Sequence, residues 1–223
     1  MNSSVHKKIL FLSLLGTCSL AHAQNSIAIA MARCEYTPIP HAYSVVDDVY
    51  SGSNYAIKLT DISFNVYKNV QCTEYDKTDN LKGLNYAHLT AKYELPSKGD
   101  CLCLFDIDGI ECECGVLAIV NNNGIVVDQI DASVASATMF TRQYEIDANY
   151  TISVYTFIPE SNCESIPFET MELHRDMTIP GRIQKKDYII ENGHFVLTKS
   201  SVGDLMLMHC HDYIQNKPNL WDY

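Results

Sequence analysis

The clearest pattern along the chain is an alternation of apolar and polar residues with a period of two. In "LTDISFNVYKNV", residues 59–70, Ile62, Phe64 and Val66 alternate with Ser63, Asn65 and Tyr67. Successive strand side chains point to opposite faces, so this spacing predicts a half-buried strand. In "LAIVNNNGIVVDQI" two apolar runs flank Asn121-Asn122-Asn123-Gly124. Asn and Gly tolerate positive φ, which predicts a hairpin turning at Asn122–Gly124. "TRQYEIDANYTISVYTFI" predicts a second hairpin, turning near Asp147-Ala148-Asn149. Ile152 and Val154 would share one face, Tyr155 and Phe157 the other. "DYIIENGHFVLTKS" predicts a third, with Asn192-Gly193 as its turn.

From Cys101 to Thr198 the chain therefore reads as a succession of antiparallel strands. One loop over 158–186, marked by Pro159, Pro167 and Pro180, interrupts it. The preceding part, 24–99, is less regular, and "HAYSVVDDVYSGSN" reads either as a short helix ending before Gly52 or as a loop. The tail, 200–223, holds the only tryptophan, Trp221, in a segment suited to docking on the body. The predicted fold class is mainly β: antiparallel hairpins forming a β-sandwich-like or open-barrel domain over 24–223.

The first residues follow a different logic. Lys7 and Lys8 precede an apolar run from Ile9 to Leu15, and Ala21-His22-Ala23 is a small-x-small signal. This predicts a secretory signal peptide over 1–23, cut between Ala23 and Gln24. The apolar run is shorter than the roughly 20 residues of a spanning helix, and no later run is long enough, so no transmembrane segment is expected. A lipoprotein reading would instead acylate Cys18, but Thr17 before it fits that signal poorly.

Cleavage removes two lysines and no acid, leaving 14 basic against 27 acidic residues and a net charge of −13. Such a charge disfavours nucleic acid and anionic membrane as partners. Cleavage also leaves eight cysteines: Cys34, Cys72, Cys101, Cys103, Cys112, Cys114, Cys163 and Cys210. An even count in an exported chain is compatible with up to four disulfides.

Four of these cysteines lie in "CLCLFDIDGIECEC", residues 101–114. A two-residue loop at Ile107-Asp108 would set Cys103 against Cys112 and Cys101 against Cys114. A loop at Asp108-Gly109 would set Cys103 against Cys114. Either places Cys101, Cys103, Cys112 and Cys114 on one face, as core side chains or as a disulfide staple, whereas an odd-length loop would place the two pairs on opposite faces, with Cys101 facing Glu113. Zinc fits poorly, because Cys-x-Cys in an extended strand holds its sulfurs roughly 7 Å apart. Asp106-x-Asp108-Gly109-x-Glu111 lacks the remaining ligands of a calcium loop and reads as a solvated acidic turn. "LMLMHCHDY" gathers Met206, Met208, His209, Cys210 and His211, residue types that suit copper. As a strand it would split them between two faces, so the expectation is a strand end followed by a polar tail. No metal and no cofactor is expected.

Catalytic signatures are missing from the sequence: there is no Gly-x-Ser-x-Gly, His-Glu-x-x-His or P-loop. Cys163 with His174 or His194 is the remaining nucleophile–base pairing, and its flanks match no papain or caspase signature. No catalytic residue is assigned.

The succession "LAIVNNNGIVVDQIDAS", "YEIDANYTISVYTF" and "DYIIENGHFVLTKS" resembles a pattern in uncharacterised exported β-rich proteins of Bacteroidetes. The resemblance covers roughly 101–199 and rests on turn and strand punctuation. It implies envelope export and a β-rich fold, and it supplies no activity. The Cys-x-Cys pairs depart from it. The function expected from the sequence is an exported, non-enzymatic binding or interaction module for a protein or glycan, in the periplasm, at the cell surface or secreted. The alternative is a secreted hydrolase acting on envelope or host polymer.

Overall fold

The computed structural model describes residues 27–43, 56–58, 86–96, 99–108, 112–136, 141–160, 176–209 and 219–223. The fold is mainly β and antiparallel, as the alternation predicts. Its strands are β1 (His41–Tyr43), β2 (Ala56–Lys58), β3 (Tyr86–Glu94), β4 (Asp100–Asp108), β5 (Cys112–Asn121), β6 (Val126–Ser136), β7 (Thr141–Ile146), β8 (Ile152–Pro159), β9 (Thr178–Glu191), β10 (His194–Val202) and β11 (Met206–His209). They pair in the order β10-β9-β8-β7-β6-β5-β4-β3-β2, with β1 added on β7 and β11 on β9. The path has a seam, because β6 and β7 are joined at a single pair, Val134↔Arg142.

The seam lets the sheet fold over on itself. Leu102, Leu104, Leu117 and Ile119 from one half meet Tyr144, Ile146, Ile152 and Val154 from the other in one buried cluster. Tyr93 and Tyr144, both fully buried, join hydroxyls across it at 2.8 Å. The architecture is that of an open sandwich without barrel closure.

All three Asn/Gly-type turns form. Asn121 and Asp147 use the same device at the first position of their loops. The Asn121 Oδ1 accepts N–H bonds from Asn123 and Ile125, and the Asp147 Oδ1 from Asn149 and Thr151. A short side-chain acceptor thereby replaces the missing ladder partner. Asn192 and Gly193 both have positive φ, 52° and 77°, and they close β9–β10 at Glu191↔His194. That is the two-residue turn whose twist matches the strands.

β8 carries apolar side chains on both faces. Ile152 and Val154 belong to the sandwich core, while Tyr155 and Phe157 belong to a second cluster with Ile179, Met208 and Leu220. The C-terminal 3-10 turn, Leu220–Asp222, covers this second cluster. The Leu220 N–H donates to the buried Gln143 side chain at 2.7 Å, and Trp221 stands edge-on to Tyr155. The tail thus docks on the body, as its tryptophan suggests.

Several sequence expectations are corrected. The expected loop over 158–186 ends early, because β9 begins at Thr178 and runs through Pro180. The Pro180 carbonyl accepts from the Glu160 N–H, so its missing N–H faces the same side, where the ladder with β8 ends at Pro159↔Gly181. The ladder with β11, on the other side of β9, therefore loses no bond at Pro180. The stretch before Asp100 is more regular than expected: residues 27–33 are helical, and β3 spans nine residues. His41–Tyr43 is strand rather than helix or loop. The expected strand at 59–70 lies outside the described residues, as does the signal-peptide boundary at Ala23 and Gln24.

Candidate functional site

The cysteine hairpin closes in a register different from either expected one. The ladder runs from Asp100↔Asn121 to Asp108↔Glu113. Cys101 therefore pairs with Val120, Cys103 with Ala118 and Cys114 with Ile107, while Cys112 pairs with Ser136 of β6. The loop length is even, but its four residues carry the two cysteine pairs apart. Cys103 and Cys114 sit four strand steps apart, roughly 13 Å. No two cysteines are opposed across β4 and β5, so the staple, one of the two readings, has no pair to form between these strands, and Cys101 and Cys103 are core side chains as in the other reading.

Cys101 and Cys103 are buried free thiols. Lys92 is in register with Cys103, and Tyr36 is bridged to Lys92. The Lys92 ammonium donates to the Met31 carbonyl at 2.6 Å and lies 4.1 Å from the centre of the Tyr36 ring. A cation near the last carbonyls of a helix is favoured by its dipole. The Tyr36 hydroxyl contacts the Cys101 sulfur at 3.4 Å, and that contact, with burial, raises its ionisation to about pKa 12. Burial, then the neighbouring Cys101 and Cys34, pushes the Cys103 thiol well above its ordinary range. A thiol held protonated and shielded is a poor nucleophile. The Lys92–Met31 bond clamps the helix to the sheet, and Cys103 is fully buried among the described residues.

The other sequence-selected residues are dispersed. Met206 and Met208 face the second apolar cluster from β11, and His209 is exposed, so the methionines and His209 do not converge. Cys72, Cys163, His174, Cys210 and His211 lie outside the described residues. His194 is exposed and sits 3.5 Å from the Asp128 carboxylate. Asp106 lies within β4, opposite Gly115, rather than in a turn. Among the described residues, no group of three His, Cys, Asp or Glu side chains is placed to hold a metal ion. No described helix is long and apolar enough to cross a membrane.

The feature that stands out on the surface is the β9–β10 ribbon. β10 ends the strand order, and eight of its nine residues are exposed. Its first turn is tied down, because the Phe195 N–H donates to the Asp128 carboxylate of β6 at 2.9 Å. Beyond it, among the described residues, no strand pairs with the outer edge from Val196 to Val202. Leu197 is 49% exposed and Val202 is 56% exposed, and Leu205 and Leu207 continue the apolar surface at 50% and 62%. Between them stands a concentration of positive charge. Residues 178–202 hold Arg182, Lys185, Lys186 and Lys199 against Asp187 and Glu191, a balance of +2 in a chain whose net charge is −11. Asp187 is already engaged, by the Ser153 hydroxyl at 2.7 Å and by Lys185 at 3.5 Å.

The local sequence pattern predicts the turn of this ribbon but not its exposure. Being a terminal strand is a property of the sheet order, not of the local pattern. The clustering of four of the chain's 16 basic residues within 178–202 was the signal available. No known protein family, curated protein or solved structure matches the chain.

Proposed function

We propose that this chain is an exported, non-enzymatic interaction module acting in the periplasm, at the cell surface or outside the cell. The β9–β10 ribbon is its contact surface. The observation that carries this reading is the open β10 edge with its exposed apolar and basic side chains. Unpaired edges are ready templates for association, and exposed apolar surface rimmed by charge marks interaction sites. Export rests on the basic, apolar and Ala-x-Ala succession at the N-terminus.

Photo-crosslinking in the producing cell tests both halves of the reading. A benzophenone side chain at Leu197 or Val202 should yield adducts outside the cytoplasm, on a chain beginning at Gln24. The same group at the exposed Ile29 should yield few. Equal adducts from all three positions would defeat the contact surface. A cytoplasmic chain retaining 1–23 would defeat export.

A further inference from the structure

The geometry points to the β10 edge as a docking site for an extended, acidic segment of another protein, which adds a strand to the sheet. This inference rests on the interaction-module reading and gives the partner its chemistry.

The backbone supplies the first argument. The two-residue turn makes Glu191↔His194 a pair that exchanges both N–H···O bonds, and in an antiparallel ladder such pairs alternate. Ile189↔Val196 is then the next bonded pair, and the N–H and C=O of Phe195 and Leu197 turn away from β9. The Phe195 N–H does reach outward, to Asp128. The Leu197 groups, one repeat further, face the open side of the strand. Main-chain groups of this kind give strand addition its affinity, and the flanking side chains give it selectivity.

Charge and edge shape supply the second argument, and they choose between partners. Lys199 stands on the edge strand, with Lys186 and Arg182 on the strand beside it, while Lys185 is held between Asp187 and the Tyr155 ring. The ladder is also broken between Leu197 and Lys199 by a bulge at Thr198. Edge lysines and bulges oppose long, flat pairing of like with like. A second copy paired antiparallel through β10 would bring the basic residues of two ribbons together. A short segment carrying Asp or Glu beside apolar residues meets complementary charge at Lys199 and apolar contact at Leu197 and Val202. The bulge limits such a segment to a short register.

The test uses the full mature chain and three probes. Two are synthetic peptides of about eight residues, an ordinary strand length, built of alternating Glu and Val or of alternating Lys and Val. The third is polygalacturonate, an acidic polymer without peptide groups. Amide hydrogen exchange across 194–202 is the readout. The Glu-Val peptide should slow exchange of the Leu197 amide at least tenfold, and the Lys-Val peptide should not.

Two variants separate backbone docking from charge alone. Leu197→Pro removes an outward N–H without removing a bond to β9, so the chain should fold normally while protection by the Glu-Val peptide disappears. Lys199→Glu should weaken that peptide's binding about two- to fivefold, as expected for one exposed charge pair. Equal protection by both peptides, or unchanged binding to Leu197→Pro, would overturn the inference. Protection by polygalacturonate alone would also overturn it, while leaving the interaction-module reading in place. If no probe slows exchange on the ribbon, the inference and the contact surface both fall.

Discussion

Replacing Phe157 with alanine should destabilise the fold by about 3–5 kcal/mol, the range for emptying a buried aromatic site. Phe157 is fully buried in the cluster that joins β8, β9, β11 and the C-terminal turn. Its ring lies directly over Gly181, where a Cβ would come within 2.6 Å of Cε2 and 2.7 Å of the Ile158 carbonyl oxygen. The backbone of β9 is thus shaped around the ring, and the site cannot collapse without moving two paired strands. The loss is a large share of the 5–15 kcal/mol that typically separates folded from unfolded domains. Urea denaturation measures it. Fluorescence of Trp221, which packs on the same cluster, should report the same transition. A change below about 1 kcal/mol would mean that this cluster is not sealed by the C-terminal turn.

Leu117→Ala should cost about 2–5 kcal/mol, for a reason that concerns the whole architecture. Leu117 stands in register between Leu104 of β4 and Ile130 of β6. It is fully buried because Tyr144, Ile152 and Val154 from the other half of the sheet close over that face. In an unfolded-over sheet the same side chain would lie in water and its truncation would cost a few tenths of a kcal/mol. The midpoint in urea should fall with little change in slope. An almost neutral substitution would show that the two halves do not cover one another.

The parts of this fold legible in the sequence are those decided within a few residues. Asn121, Asp147 and Asn192-Gly193 specify turns through side-chain acceptors and positive φ, and each turn forms where those residues stand. The assignment of Ile152 and Val154 to one face of β8 and of Tyr155 and Phe157 to the other also follows from period two. β3 was equally legible, since Leu89, Ala91 and Tyr93 alternate with polar residues. What the alternation does not reveal is the burial of Lys92 on the opposite face, because its partner, the Met31 carbonyl, is 61 positions away. The short helix at 27–33 shows a signal of the same kind in Ile27, Ala30 and Met31, one buried stripe at helical spacing.

Other features depend on distance along the chain. The cysteine register turned on whether the loop held two residues or four, and the strong Asp108-Gly109 turn signal pointed to the shorter one. Pro180 read as a loop residue because its tolerance depends on where β8 ends. The candidate site is the extreme case. Nothing within "HFVLTKSSV" distinguishes a terminal strand from an internal one. Only the order β10-β9-β8 exposes its edge and sets three basic residues on the strand beside it.

The contact-surface reading requires that β10 present an unpaired outer edge in the chain by itself. Amide hydrogen exchange of the dilute, unliganded protein tests it most directly, at two neighbouring residues. The Val196 N–H should be protected by its bond into β9, at least about a hundredfold more slowly exchanging than the Leu197 N–H, which faces water. Equal, strong protection of Leu197 and Val196 would show that the edge is already occupied and would rule out its role as a contact surface.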